Sequence, residues 1–263
     1  MRTTLSRLAY SSWFARWTHA FAEWRVSRTK PRVPKRDKNG LPLPSAYLIA
    51  RVAGSVAWQE YLEIGANAVR VFRDMLARHG EDLEFAERIL DFGCGCGRVA
   101  RHVPNHSRAE LYGTDINRQL ARWSAANLPG TFHTNRLMPP LRYHDQFFDV
   151  IYLLSVFTHL RQETQQAWLQ EFHRILKPGG HVLISFHDED HAAVAAIGVT
   201  ADDVRRDEFI VHNDRAEGSN YISTYQSRAQ FAAQAAVHFE VCEILSSQES
   251  GAGQAVALLR RSP

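Results

Sequence analysis

Residues 89–103 read ILDFGCGCGRVARHV, an apolar run followed by three glycines at every second position and then by an arginine-rich segment. This pattern is typical of a buried strand that ends in a tight turn before a helix. Glycines at such a turn let the backbone approach a ligand closely, because no Cβ stands in the way. The interleaved Cys94 and Cys96 leave two other interpretations open, a thiol or metal site and a purely structural turn.

The spacing of the glycines separates two kinds of nucleotide site. After Asp91 the glycines follow a G-x-G-x-G pattern, whereas the dinucleotide fingerprint G-x-G-x-x-G needs glycine at the position that Arg98 occupies. About twenty residues downstream, a second apolar run ends at Asp115. An acid at the end of a second strand is placed to accept both hydroxyls of a ribose. Together the two signals predict a site for a nucleoside and argue against a dinucleotide.

Apolar runs alternate with amphipathic helical stretches through the middle of the chain, which predicts βαβ units and a mostly parallel sheet in an α/β fold. After residue 221 the pattern changes to a short strand, a helix and two strands, which fits a terminal antiparallel hairpin at the sheet edge. Upstream, Ser55–His79 predicts one or two helices, closed by Gly80. The predicted parallel strands are 88–92, 110–114, 148–154 and 181–186.

Four stretches carry a resemblance to a known family: RILDFGCGCGRVARHV (88–103), LYGTDIN (111–117), FDVIYLLSVFTHL (148–160) and EFHRILKPGGHVLISF (171–186). They resemble the successive motifs of class I S-adenosylmethionine-dependent methyltransferases, above all the bacterial methyltransferase-11 and -25 types. Some of those enzymes act on sugars, lipids or small metabolites. The resemblance implies a Rossmann-like fold with a seven-stranded sheet, S-adenosylmethionine as cofactor, and methyltransferase activity.

The resemblance also implies which residues hold the cofactor. Asp91 and the turn at Gly93, Cys94 and Gly95 surround the methionine part, together with Leu154 and Ser155 after the fourth strand. Asp115 binds the ribose and Ile116 packs on the adenine. Where the family often has an acid near the adenine amino group, this chain has Asn135, whose amide oxygen also accepts a hydrogen bond.

The cysteines and the KPGG turn at 177–180 have structural interpretations. A C-x-C pair with no second Cys or His pair at finger-like spacing is poor evidence for zinc, so we expect Cys94 and Cys96 to fill a tight turn and expect no bound metal. The KPGG turn is expected to stop a helix at Leu176 and lead the chain into the next strand.

Two histidines follow strands whose ends face the expected substrate pocket. A hydroxyl acceptor benefits from a general base, and histidine is the side chain that titrates near neutral pH. His159 and His187 are therefore the candidate catalytic residues, with His159 favoured as a pocket-lining residue. Runs of acids such as 188–190 usually form a solvated loop, although they also steer cations or bind metals. The candidate substrate-binding residues are Tyr61, Asn220, Tyr221 and Tyr225.

The positive charge of the chain is concentrated near its start. Residues 1–40 carry a net charge of +8 and the rest −5. Residues 5–24 predict an amphipathic helix rich in tryptophan and arginine, followed by a proline-rich connector. The helix could dock on the main domain or pack in a homodimer, lie at a membrane surface, or contact nucleic acid, for which no motif is present. We expect an extension at 1–44 and the methyltransferase domain at 45–263.

No run of 18 apolar residues and no secretory signal occurs in the chain, and its three cysteines suit a reducing compartment. A cytoplasmic protein is expected, with peripheral membrane contact through residues 1–40 as an open alternative. The predicted activity is O-methylation of a sugar, glycolipid or secondary metabolite. The alternatives are N-methylation of a small molecule, a non-catalytic cofactor-binding module, and a nicotinamide-dependent oxidoreductase.

Overall fold

Seven strands form one sheet in the computed structural model, which describes residues 33–206, 209–214 and 217–262. The predicted amphipathic helix at 5–24 lies outside these residues. Two further strands, β6 (Ile210–His212) and β7 (Ser223–Tyr225), pair in a small antiparallel sheet of their own. The strands of the main sheet are β1 (Arg88–Phe92), β2 (Glu110–Asp115), β3 (Thr131–Thr134), β4 (Phe148–Leu153), β5 (Leu176–Phe186), β8 (Glu240–Leu245) and β9 (Ala255–Arg260).

The strand order in the main sheet is β3-β2-β1-β4-β5-β9-β8. The first five of these strands run parallel to one another, and β9 runs antiparallel to both of its neighbours, β5 and β8. The predicted α/β fold, with a mostly parallel sheet and a terminal antiparallel hairpin, is confirmed. The second strand of the hairpin, β9, lies between β5 and β8, so that β8 forms the edge of the sheet.

Helices cover both faces of the sheet, as βαβ crossovers require. Ser45 caps the first helix and Gly80, with φ of 80°, follows the second in the left-handed conformation that the sequence predicts there. The helices are α1 (Ala46–Ala53), α2 (Trp58–Arg78), α3 (Arg118–Asn127), α4 (Gln162–Ile175) and α7 (Arg228–Ala235), together with the shorter α5 (Ala193–Ala196) and α6 (Ala201–Arg205).

Apolar side chains pack on each face of the sheet and form two separate cores. On one face, Trp168 and Phe172 from α4 pack on Phe92 of β1. On the other face, Phe72 and Met75 from α2 belong to a second buried cluster. Burial of this kind contributes roughly 25 cal/mol per Å² of apolar surface removed from water, which holds the crossover helices on the sheet.

The KPGG segment differs from its prediction as a turn before the strand. The helix was expected to stop at Leu176, but α4 ends at Ile175 and β5 already begins at Leu176. The four residues of the KPGG segment form an irregularity inside β5. Gly179 adopts φ of 76°, and a Cβ on Gly180 would lie 2.8 Å from the carbonyl oxygen of Asp149. The glycines therefore bring β5 close enough to pair with β4 on both sides of the irregularity.

The segment between β5 and β7 is an addition that the sequence pattern did not predict. It contains α5, α6 and β6, and Val194, Val204 and Tyr225 form a small apolar cluster of its own. None of the helices within the described ranges is long and apolar enough to cross a membrane.

Candidate active site

A cleft lies at the carboxyl ends of the parallel strands, next to the point where the strand order reverses between β1 and β4. In open α/β sheets, ligands bind at this edge. The predicted site residues that line the cleft are Gly93, Gly95, Asp115, Ile116, Asn135, Leu154, Ser155, His159, Asn220 and Tyr221. Those that do not line it are Asp91, Cys94, Tyr61, Tyr225 and His187.

The glycine turn lies on the floor of the cleft and is tied to β2. The amides of Gly93 and Cys94 both donate to the carbonyl oxygen of Thr114, at 2.7 and 2.9 Å. Gly93 has φ of 77°, and a Cβ at this position would lie 2.2 Å from the Cγ2 atom of Val156. Only glycine fits here without displacing the side chain of Val156, which follows β4.

Asp115 lies at the end of β2 and joins this strand to the glycine turn. Its Oδ2 atom accepts a hydrogen bond from the amide of Gly95 at 2.8 Å, and its Oδ1 atom accepts from the amide of Asn117 at 2.6 Å. Burial raises the pKa of the carboxyl to about 6, and the two amides oppose this rise. Each carboxylate oxygen keeps another acceptor position, so Asp115 can still accept two hydroxyl donors.

Asp91 is buried beneath the cleft. Burial raises the pKa of its carboxyl to about 7, and the Oδ2 atom has no hydrogen-bond partner. The buried hydroxyl of Tyr152, from the neighbouring strand β4, lies close enough to oppose this rise in the pKa of Asp91. Asp91 is only 2% exposed and does not line the cleft.

The predicted adenine-side residues lie next to Asp115. Ile116 is 40% exposed, which is unusual for a large apolar side chain and leaves its surface free to pack on a flat ring. The amide nitrogen of Asn135 donates to the carbonyl oxygen of Arg136 at 2.7 Å. Its Oδ1 atom is buried and has no partner, so it is an acceptor for a donor group that a ligand would bring.

The two cysteines of the turn are buried, and burial raises the pKa of both thiols, for Cys96 to about 11. Neither is suited to react as a thiolate near neutral pH. No three His, Cys, Asp or Glu side chains within the described ranges form a group that could hold a metal ion.

Ser155, after β4, has the left-handed φ of 60°, which is uncommon for a residue with a side chain. Its amide donates to the hydroxyl of Ser185 at 2.7 Å, and its own hydroxyl accepts from the amide nitrogen of Gln254 at 2.9 Å. The hydroxyl of Ser185 donates to the side-chain Oε1 atom of Gln254 at 2.7 Å. This three-residue network holds Leu154 and Ser155 against the cleft.

His159 lines the cleft and is held by one hydrogen bond. Its Nδ1 atom lies 2.6 Å from the carbonyl oxygen of Ile222. A carbonyl oxygen only accepts, so Nδ1 carries the proton and Nε2 of the neutral ring is an acceptor. Burial lowers the pKa of the imidazole from 6.5, and the nearby positive charge of Arg98 lowers it further.

His187 is not brought to the cleft, although it follows β5 as predicted. Its ring is packed between His191 and Tyr225, with centroids 4.0 and 4.9 Å away, and is 9% exposed. Burial lowers its pKa to about 3. The addition between β5 and β7 covers both His187 and Tyr225, so the structure does not place either where it would contact a ligand in the cleft.

The acidic run after His187 is not the solvated loop that the sequence predicts. Asp188 is fully buried and accepts a hydrogen bond from the hydroxyl of Ser247, and it pairs with Arg228 at 2.6 Å. Arg228 also pairs with Glu189 at 3.3 Å and with Asp190 at 2.6 Å. The three acids therefore join β5 to α7.

Tyr61 is wholly buried in α2, and its hydroxyl donates to the carbonyl oxygen of Cys96 at 2.8 Å. It supports the glycine turn from behind. Asn220 and Tyr221 lie on the wall of the cleft, where the side-chain amide of Asn220 donates to the carbonyl oxygen of Arg51 at 3.0 Å. The late segment is thereby tied to α1.

Three arginines that were not predicted as site residues also line the cleft: Arg51, Arg98 and Arg136. Arg98 follows directly after the last glycine of the turn, and this position in the sequence could have identified it as a residue of the cleft. Arg51 and Arg136 come from α1 and from the segment after β3, and no sequence motif marks them.

The residues of the cleft fit an adenosine-containing cofactor. Asp115 offers acceptors for ribose hydroxyls, the orphaned Oδ1 atom of Asn135 matches an amino donor, and Ile116 offers an apolar surface. The turn at Gly93 is a cradle that a Cβ would fill. These features lie on one continuous cleft.

Two plant proteins are among the curated proteins that the chain matches. The chain is 27% identical over 125 residues to phosphoethanolamine N-methyltransferase 3 of Arabidopsis thaliana, which is 46% of this chain and 24% of that protein. The phosphoethanolamine N-methyltransferase of Triticum aestivum matches at the same identity over 23% of its length. The chain thus spans about a quarter of the length of the curated relatives that it matches.

Solved structures share the fold. A methyltransferase structure from Methanosarcina mazei, described as S-adenosylmethionine-dependent, superposes with a TM-score of 0.54 at 17% identity, covering 71% of this chain and 97% of that one. The 1,6-didemethyltoxoflavin-N1-methyltransferase of Burkholderia thailandensis gives 0.54 at 17% identity, covering 83% and 87%.

A family model described as a methyltransferase domain matches residues 58–242, which is most of the chain. This range contains the glycine turn, Asp115, Asn135 and His159, so the match and the cleft involve the same part of the molecule. The chain therefore belongs to the methyltransferase domain family, and it shares its fold with solved S-adenosylmethionine-dependent methyltransferase structures.

Proposed function

We propose that this chain transfers a methyl group to a hydroxyl oxygen of a small acceptor, such as a sugar, a glycolipid or a secondary metabolite, and that His159 is the general base. When bound, S-adenosylmethionine supplies a methyl group on a positively charged sulfur, which the acceptor oxygen displaces. The protein contributes by orienting the two partners and by removing a proton.

The cofactor side of the proposal assigns roles to the residues around Asp115. Its carboxylate accepts hydrogen bonds from the ribose hydroxyls, and the Oδ1 atom of Asn135 accepts from the adenine amino group. Ile116 packs on the adenine ring. The turn at Gly93 and Gly95 and the chain at Ser155 surround the methionine part.

The observation that carries the acceptor side is the hydrogen bond between His159 and the carbonyl oxygen of Ile222. Because Nδ1 holds its proton there, Nε2 is left to take one from the acceptor hydroxyl as the new bond between carbon and oxygen forms. The lowered pKa of His159 keeps the ring neutral and ready to accept at neutral pH. A hydroxyl needs such a base more than an amine, which attacks unaided once it is neutral.

N-methylation of a small amine is the second candidate. The observation that favours it is that the curated relatives are named phosphoethanolamine N-methyltransferases and that the Burkholderia structure is named an N1-methyltransferase. In this case His159 would remove the proton of an ammonium group before attack. Parallel screens of hydroxyl and amine acceptors with radiolabelled S-adenosylmethionine decide between the two candidates.

Calorimetric titration with S-adenosylhomocysteine tests the cofactor assignment. Asp115→Ala is expected to lower the affinity about 100-fold or more, because two charge-assisted hydrogen bonds are lost. Asp74→Ala removes a carboxylate that is 53% exposed on α2 and is expected to leave the affinity unchanged. Binding of NAD(H) with no response to S-adenosylhomocysteine would contradict the proposal, and cofactor binding without turnover of any acceptor would favour a non-catalytic module.

The basic segment at 1–40 remains a separate proposal, since residues 1–32 lie outside the described part of the chain. We expect it either to pack in a homodimer or to bring the enzyme to an anionic membrane surface that holds a glycolipid acceptor. Flotation with anionic vesicles tests the membrane contact. Equal binding by the full chain and by a variant lacking residues 1–40 would contradict it.

A further inference from the structure

The edge of the sheet at β3 carries positive charge and no acid. Residues 116–144 contain α3, β3 and the segment that leads from β3 to β4, and they include four arginines but not one Asp or Glu. The arginines are Arg118, Arg122, Arg136 and Arg142, and all four are exposed. Together these four residues are called the basic face. A surface with one sign of charge attracts partners of the opposite sign.

The acids of the described ranges do not neutralise the basic face. None of its four guanidinium groups forms an ion pair with a described residue. Exposed arginines elsewhere are paired, for example Arg206 with Asp203 at 2.8 Å and Arg260 with Glu240 at 2.6 Å. The charge of the basic face is therefore not used within the part of the chain that the structure describes.

The start of α3 and the segment after β3 meet at the rim of the cleft. A Cβ on Gly218 would lie 3.1 Å from the Cδ1 atom of Ile116 and 3.3 Å from that of Leu137. Both of these residues line the cleft, and Arg118 and Arg136 follow or precede them in the chain within two positions. The basic face therefore borders the cleft.

The basic segment at the start of the chain joins the domain beside α3. Residues 1–32 contain seven Lys or Arg and one Glu. Val33, which follows them, packs in the same apolar cluster as Trp123 of α3. The chain thus enters the domain next to the helix that carries half of the basic face.

The side chains around the arginines favour a lipid over a nucleic acid as the partner. Met138, two residues after Arg136, is 47% exposed and does not line the cleft. Basic residues beside an exposed apolar side chain are typical of surfaces that lie at a membrane interface. A surface for single-stranded nucleic acid offers exposed aromatic rings for stacking, and none of the three aromatic residues in 116–144 is exposed.

We propose that the basic face, together with Met138, docks on an anionic lipid surface and brings the cleft to an acceptor held in that surface. The arginines bind the headgroup phosphates, and Met138 enters the boundary between headgroups and acyl chains. This inference rests on the proposed function, because it narrows the acceptor to a lipid-linked molecule. It differs from the contact through residues 1–40, since it assigns the docking to the domain itself.

Flotation of the full chain with phosphatidylcholine vesicles, with and without phosphatidylglycerol, tests the proposal. Wild type is expected to bind the anionic vesicles more tightly. An arginine near an anionic surface contributes roughly fivefold to affinity, so replacing Arg118, Arg122 and Arg142 together by Gln is expected to weaken this binding about 50-fold or more. None of these three residues lines the cleft, so the affinity for S-adenosylhomocysteine is expected to stay unchanged and shows that the variant is folded.

A matched control removes the same charge elsewhere. Replacing Arg70, Arg206 and Arg260 by Gln takes away three arginines whose side chains are 60%, 72% and 42% exposed, and flotation is expected to match wild type. Equal loss in both triple variants, or unchanged flotation of the first, would overturn the proposal. Failure of wild type to bind S-adenosylhomocysteine would contradict the proposed function instead, and the flotation result would not depend on it.

Met138→Ser separates a lipid surface from a nucleic acid. It is expected to weaken flotation about fivefold even in high salt, because apolar contact is not screened as charge is. Fluorescence polarisation with a single-stranded RNA provides the comparison. Unchanged flotation of Met138→Ser, or wild type that binds the RNA but not the anionic vesicles, would overturn the proposal.

Discussion

A single hydrogen bond sets the chemistry of His159. The carbonyl oxygen of Ile222 holds the proton on Nδ1, and partial burial disfavours a second proton on the ring. By contrast, His187 is packed against aromatic rings, and its Nδ1 atom is buried without a hydrogen-bond partner. Two histidines that follow adjacent strands thus have different environments, and only His159 lines the cleft.

We expect the pH dependence of kcat/KM to report the pKa of His159 in the free enzyme. The base works only when neutral and its pKa is lowered from 6.5, so activity should rise with pH through a value below 6.5 and then level off. His159→Gln should lower kcat by roughly 100-fold or more and remove this acidic limb. His144→Gln, at an exposed position, should leave the profile unchanged. An identical limb in His159→Gln would contradict the assignment.

At the scale of residues, the sequence predicted Asp115 and the glycine turn at the cleft, whereas Asp91 and His187 do not line it. Asp115 was predictable because its spacing from the glycine turn follows from one strand, one crossover and a second strand. The burial of Tyr61, His187 and Tyr225 was not, because it depends on which face of an element a neighbouring segment covers. The sequence motifs do not indicate that the segment between β5 and β7 covers His187.

At the scale of elements, the approach of α2 to the glycine turn shapes the cleft. A Cβ on Gly65 would lie only 1.9 Å from the carbonyl oxygen of Arg98, so this helix packs directly against the backbone there. The hydroxyl of Tyr61, one turn earlier, bonds to the carbonyl oxygen of Cys96. Helix α2 thereby fixes the position of the turn and of Arg98.

Gly65→Ala is expected to lower the free energy of unfolding by about 1 to 3 kcal/mol, because the added methyl group has no space. At a solvent-exposed helix position the same change would raise the free energy of unfolding by about 1 kcal/mol. The sign of the change in unfolding free energy therefore shows whether α2 packs against the turn. Urea unfolding measures the change. Glu63→Ala, exposed on the same helix, should stay within about 0.5 kcal/mol of wild type. A stabilised Gly65→Ala would show that α2 does not press on the turn.

The sequence predicted the bounds of β1, β2 and β4 closely, since parallel strands buried on both faces read as apolar runs bounded by turns. The start of β5 at Leu176 was not predicted, because the glycines after it allow β5 to pair with β4 on both sides of an irregularity. The short elements α5, α6 and β6 were not predicted. Their hydrophobic patterns are only three to five residues long, which is too short to show a period.

At the scale of the whole molecule, the connector before α1 is tied to the domain by a buried ion pair. Arg101 and Asp37 lie 3.0 Å apart, with side chains 0% and 3% exposed. Asp37 also accepts from the amides of Asn39 and Leu41, and Arg101 donates to the carbonyl oxygen of Pro42. The boundary at residues 44 and 45 remains a prediction, but the described part of the connector already packs on the domain.

Asp37→Asn is expected to lower the free energy of unfolding by about 3 to 5 kcal/mol, because it leaves the buried charge of Arg101 without its partner. Urea unfolding at neutral pH measures this loss. Asp74→Asn, which breaks an exposed pair with Arg70, should cost no more than about 0.5 kcal/mol. Equal effects of the two variants would show that the connector does not contribute to the stability of the domain.

The position of β9 inside the sheet has a consequence for synthesis of the protein. Residues 255–260 pair with both β5 and β8, and Gln254 immediately before them braces Ser155 in the cleft. A nascent chain grows by about 5 to 20 residues per second, and the central strands leave the ribosome well before this segment. Until Arg260 emerges, β5 has an open edge and Ser155 lacks its brace. Translation therefore delivers the parallel strands first, and the contact of Gln254 with Ser155 in the cleft forms only when β9 pairs with β5.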